Sequence, residues 1–135
     1  LHRRRHSFPT RRSSDLLVAT EQINLAYALG DAGLAIYPHS EDMLAINGLL
    51  AIIRQDWPEA VELLSELMEF QGQAVQPFTY VMLVRALRCN LDPAAAMNVV
   101  RKGLEQYPNQ LELVAESLAL EEYAHAMTPT SALTQ

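Results

Sequence analysis

Two arginines, Arg85 and Arg88, are the side chains whose type and spacing best suit the binding of a charged group. Residues three apart are neighbours on one face of a helix, and paired guanidinium groups can hold a carboxylate through charge-assisted hydrogen bonds. The alternative is that the arginines form salt bridges within the chain, for which Glu69 and Glu105 are the candidate acids. The sequence leaves both interpretations open.

Other reactive side chains have spacings that favour structural roles. Glu122 and His125 have the i, i+3 spacing of carboxylate-bridged metal sites in helical bundles, but such sites need a second copy and further inward carboxylates, and a solvated pair is the alternative. The sequence contains no phosphate loop, dinucleotide glycine motif, nucleophile elbow or His-Glu-x-x-His motif. We therefore expect no enzymatic activity, no metal and no cofactor. The single cysteine, Cys89, fits a reducing compartment, so we expect a cytoplasmic protein.

Charge is distributed unevenly along the chain. Residues 17–135 contain 5 basic and 15 acidic residues, a net charge of −10, against −6 for the whole sequence. An acidic body repels nucleic acid and anionic membrane, and favours a partner with basic character. No apolar run approaches the roughly 20 residues of a membrane span, so we expect neither membrane insertion nor nucleic-acid binding.

The first sixteen residues differ from the rest. They hold five of the ten basic residues and one acid, Asp15. One interpretation is a basic arm. The other is that residues 6–16, which resemble the translation of a sequencing adapter, do not belong to the natural protein. We predict that residues 1–16 are a non-native, disordered segment, that residues 17–126 form one helical domain, and that residues 127–135 are a flexible tail.

Capping residues and turn signals divide the domain into helices. Asp56 precedes Trp57 and Pro58, and Asp92 precedes Pro93, so each Asp can cap a helix that has proline in its first turn. The predicted helices cover residues 21–37, 41–54, 57–70, 77–90, 93–107 and 110–126.

Alternate helices share a pattern of small and apolar residues. Ala26, Ala60 and Ala96 recur at intervals of 34 and 36 residues, and each begins an apolar stripe with spacing i, i+4, i+7, i+8. Small residues at these positions would let neighbouring helices approach closely.

A two-helix unit that recurs about every 34 residues resembles the tetratricopeptide repeat. The second unit carries the resemblance in Leu44, Gly48, Asp56, Trp57, Ala60 and Leu64. The third carries it in Tyr80, Leu83, Leu87, Asp92, Ala96, Val100 and Pro108. Val84 replaces the family's glycine, and Gly72 replaces the closing proline. The resemblance implies an all-α fold: an antiparallel solenoid of helix–turn–helix repeats with a C-terminal capping helix.

The resemblance also implies a function. In this family the first helix of each unit lines a concave groove that receives a peptide. By repeat position, the groove residues are Leu49, Ile52, Phe78, Val81, Arg85 and Arg88. We therefore expect a module that binds a protein or peptide, as an adaptor or chaperone. The segment Arg54-Gln-Asp-Trp-Pro-Glu-Ala60 resembles chaperones of bacterial type III secretion.

Two alternatives to a groove-binding module remain open. The repeats could be a non-catalytic part of a longer protein. They could also form a structural homo-oligomer, because a first helix without a packing neighbour would leave Ile23, Leu25 and Leu29 uncovered.

Overall fold

The described part of the chain folds into six α-helices. The computed structural model describes the backbone of residues 2–128 and the side chains of residues 16 and 18–128. The helices are α1 (His2–Ile36), α2 (Glu41–Ile53), α3 (Trp57–Gln71), α4 (Pro77–Cys89), α5 (Pro93–Gln106) and α6 (Leu111–Ala126). Residues 2–128 contain no β-strand. The predicted all-α class is confirmed, and the predicted bounds of α2 to α6 are correct to within one residue.

The first helix is longer than predicted. It begins at His2, whereas the predicted helix begins at residue 21. Helical backbone does not test whether residues 1–16 belong to the natural protein, so that part stays a prediction. Most of the predicted tail, from residue 129 onwards, lies outside the described residues.

Two turns have the same geometry 36 residues apart. Gln55 and Leu91 have positive φ angles of 60° and 61° at the ends of α2 and α4. Asp56 and Asp92 follow, and each donates its backbone N–H to the carbonyl five residues earlier, at 2.9 Å. Each Asp side chain then accepts from the N–H three residues later, at 3.4 and 3.2 Å. The same left-handed helix end and Asp cap therefore join α2 to α3 and α4 to α5.

A second type of turn recurs 70 residues apart. Tyr37 and Tyr107 each donate a backbone N–H over 2.7 Å, to the carbonyls of Gly33 and Gly103 respectively, and proline follows each tyrosine. The side chains of Ser40 and Gln110 then cap α2 and α6. The connection from α3 to α4 differs, because it turns at Gly72, where φ is +59°. Four of the five connections between the described helices therefore belong to one of two recurring turn types.

Small residues bring the helices close together. Ala60 and Ala96 are completely buried. A Cβ atom added to Gly103 would lie 2.8 Å from Leu113 Cδ1, and one added to Gly48 would lie 2.7 Å from a Leu64 methyl group. These side chains pack directly on a neighbouring backbone, so the prediction of close approach at the small residues is supported by the packing.

Each helix packs on the next, and α4 also contacts both α2 and α6. Among the described residues α1 does not contact α3, and α3 does not contact α5. The core is aliphatic, and its largest completely covered side chains are Leu44, Leu64, Leu67, Leu83 and Leu113. The even-numbered helices therefore form one continuous layer. Within the described part of the chain, none of the helices combines the length and apolar character needed to cross a membrane.

Candidate functional site

The predicted groove residues lie on two helices that contact each other. Leu49 and Ile52 are on α2, and Phe78, Arg85 and Arg88 share one face of α4. The side chain of Leu49 is 38% exposed and that of Phe78 is 40% exposed, while Ile52 is half-buried. These five residues, with Glu112 and Glu116 of α6, are called the even-helix surface below.

Val81 does not reach that surface. It was assigned to the groove by its repeat position, but its side chain is 2% exposed. The physical reason is that α4 packs against four other helices, which cover most of its circumference. Val81 is part of the core beneath the surface and has no area to offer a ligand.

The two arginines already have partners within the chain. Arg85 donates from Nη2 to Glu112 Oε2 at 2.7 Å and from Nε to Glu116 Oε1 at 3.4 Å. Arg88 donates from Nε to Glu116 Oε2 at 2.9 Å. The arginines thus form internal salt bridges, but with Glu112 and Glu116 and not with the expected Glu69 or Glu105.

The sequence alone did not connect these acids with the arginines, because they lie 27 and 28 residues further along the chain. Glu112 and Glu116 lie one turn apart on the side of α6 that contacts α4. The two acids are four residues apart and the two arginines are three apart, so each pair lies on one face of its helix, about one turn apart. The sequence did contain this signal. What the sequence did not state is that α4 and α6 are neighbours.

The two arginines and two glutamates form a cluster with no net charge, and its members are buried to different degrees. The side chain of Glu116 is 11% exposed, whereas that of Glu112 is 53% exposed. The hydrogen bond that Arg88 donates to Glu116 raises the pKa of Arg88 above its ordinary value. An acidic ligand could displace Glu112 but would have to compete with a carboxylate that is almost covered. The surface therefore offers a ligand apolar area at Leu49 and Phe78 beside charged groups that are already paired.

A separate pocket of about 300 Å³ lies between the α4–α5 turn and the second half of α6. Its walls are mainly apolar, and Arg88 stands at one side. The lining residues are Arg88, Leu91, Pro93, Ala119, Leu120 and Tyr123. Sequence reasoning did not identify this pocket, whose volume is at the lower end of the range for small-molecule sites.

The candidate metal pair is not part of a larger ligand set. Glu122 and His125 are both exposed near the end of α6. Among the side chains that the structure describes, no group of three or more His, Cys, Asp or Glu residues could hold a metal ion. His39 lies 3.1 Å from Glu66 on the surface, as an isolated pair.

The outward side of α1 is apolar and uncovered. Leu25 and Leu29 on that side are 59% and 64% exposed, and Ile23, which lies on the face of Gly30, is 42% exposed. Their exposure agrees with the sequence prediction, and whether it leads to self-association is a separate question.

No family model matches this chain, and comparison with curated proteins returned no similar sequence. The geometry of the described residues therefore carries the functional argument.

Proposed function

We propose that this protein binds a segment of another protein on its even-helix surface, as an adaptor or chaperone with an antiparallel, tetratricopeptide-like solenoid fold. The observation that carries the proposal is the side-by-side placement of α2 and α4, with Leu49 and Phe78 exposed on them. Exposed apolar side chains on two adjacent helices can contact the apolar side chains of a bound peptide.

The repeated turns support the solenoid fold. The Asp-capped turn recurs after 36 residues and the Tyr-Pro turn after 70, which is two units of about the tetratricopeptide length. In such an array the first helices of successive units lie side by side, in agreement with the contacts of α4 with α2 and α6. A chaperone of the type III secretion class is the narrower form of the proposal, and it rests on the resemblance of the segment from Arg54 to Ala60.

The charges define the chemistry of the partner. The arginines of the surface are matched by Glu112 and Glu116, so no positive charge is left unmatched there to attract an acidic peptide. The body of the protein carries a net charge of −10 over residues 17–135. The expected partner is a segment with apolar anchors and neighbouring basic residues.

A peptide-display selection on the 135-residue protein tests the proposal. Selected peptides are expected to pair apolar anchors with Lys or Arg. Leu49→Glu should weaken their binding by at least about ten-fold, because it replaces an apolar contact with a carboxylate that must lose its hydration beneath the peptide's apolar anchor. Leu29→Glu makes the same change at an exposed leucine of α1 and should leave binding unchanged. Equal affinity for wild type and L49E, with folding verified by circular dichroism, would contradict the proposed site.

A further inference from the structure

Helix α1 carries a continuous stripe on the side facing away from α2. All six side chains of this stripe are exposed, including Leu25 at 59%, Leu29 at 64% and Ile36 at 68%. The members are Val18, Gln22, Leu25, Leu29, Ala32 and Ile36, and they are called the outer stripe. Among the described residues α1 contacts no helix other than α2, so this stripe has no partner within the described chain.

The spacing of the outer stripe indicates what would cover it. Its members follow one another at intervals of 4, 3, 4, 3 and 4 residues. An alternating 4–3 interval is the heptad pattern by which one helix packs against another in a coiled coil. It is not the spacing expected for contact with a loop or a strand. The occupant that fits the outer stripe is a helix at least as long as residues 18–36.

The positions of the stripe are spaced symmetrically about position 27. When a second α1 lies antiparallel with its position 27 level with the first, Val18 lies level with Ile36 and Leu25 with Leu29. The remaining pair places the longer Gln22 opposite the small Ala32. Every pair occurs twice, related by a two-fold axis, which is the self-complementarity that an isologous dimer requires.

Charge is compatible with this arrangement. The acidic residues of this segment, Glu21 and Asp31, lie level with Gly33 and Ile23 of the other copy, so no acid lies level with an acid. Antiparallel helices also place opposite ends of their dipoles together. In parallel pairing, by contrast, the two Ala32 side chains would meet and leave a gap, and two Gln22 amides would be buried against each other.

We propose that the outer stripe is a dimer interface, in which a second copy of this chain packs its α1 antiparallel with position 27 at the two-fold axis. This proposal is independent of ligand binding on the even-helix surface. Six side chains per copy make a small interface compared with the ~1,200–2,000 Å² of stable complexes. The dimer should therefore be reversible and dependent on concentration.

Sedimentation equilibrium of the 135-residue protein, from micromolar to near-millimolar concentration, measures the association. Wild type should show a monomer–dimer equilibrium. L29E should weaken dimerisation by at least about ten-fold, because each dimer would bury two unpaired carboxylates. L49E, the same substitution at an exposed leucine of α2, should dimerise like wild type. A wild-type protein that stays monomeric, as it would if another segment covered the stripe, or an L29E protein that dimerises normally, would overturn the proposal.

Disulfide trapping tests the register. In a C89S background, a chain carrying L25C and a differently tagged chain carrying L29C should form the mixed disulfide on oxidation, since the proposed pairing places these positions level. Each chain oxidised alone should cross-link far less. Efficient cross-linking of L25C with itself would instead mean parallel pairing and would contradict the two-fold arrangement.

Discussion

Glu116 on α6 accepts hydrogen bonds from Arg88 on α4 at 2.9 and 3.3 Å, and its side chain is 11% exposed. The same carboxylate also accepts from Arg85. One acid thus joins α6 to two successive turns of α4, whereas Glu112 contacts Arg85 from a more exposed position. The cluster fixes the last helix on the layer of even-numbered helices and neutralises the arginines of the proposed binding surface.

Glu116→Gln should destabilise the fold more than Glu112→Gln. Loss of the covered carboxylate leaves Arg88 without a charged partner and leaves Arg85 with Glu112 alone, which should lower the free energy of unfolding by about 1–3 kcal/mol. The exposed Glu112 pair should be worth less than about 1 kcal/mol. Urea unfolding followed by circular dichroism measures both values. Equal losses for the two variants would show that the burial of Glu116 does not govern the strength of the cluster.

The two Asp-capped turns should be energetically equivalent. Asp56→Ala and Asp92→Ala each remove a side chain that accepts a backbone N–H at a helix start. Each should cost about 0.5–2 kcal/mol of unfolding free energy, while Asp→Asn at either position should retain most of the stability, because Asn caps nearly as well. Thermal unfolding of the four variants provides the comparison. A measurable loss at one turn and none at the other would contradict the view that the same structural unit is repeated.

Gly103→Ala should destabilise the protein although alanine is the better helix former. The new Cβ would lie 2.8 Å from Leu113 Cδ1 and 3.1 Å from the Tyr80 ring. Overpacking of this kind costs about 1–3 kcal/mol, which exceeds the gain of about 1 kcal/mol in helix propensity. Asn98→Ala, at an exposed position of the same helix, is the control and should leave stability unchanged or slightly raised. Calorimetric melting temperatures decide the matter, and a more stable G103A protein would mean that α5 and α6 are less closely packed.

Local features of the sequence predicted the helices, but they could not predict contacts between residues that are distant in the sequence. The starts of α3 and α5 follow from Asp56 and Asp92, because a cap acts within three residues of itself. The partner of Arg88 lies 28 residues away and depends on which helices are neighbours.

The same limit explains the error at Val81. Repeat position gave the correct face of α4, since Phe78 and Arg85 on that face do reach the surface. How deeply each residue of the face is buried depends on the four helices around α4. The spacing of residues within α4 does not reveal how deeply each of them is buried.

The most direct test of the proposed function is a nuclear magnetic resonance titration of the isotopically labelled protein with a display-selected peptide. The account predicts that the amide signals that shift will cluster at Leu49, Ile52 and Phe78 on α2 and α4. Shifts confined to α1, α3 and α5, with the signals of these three residues unchanged at saturation, would contradict it.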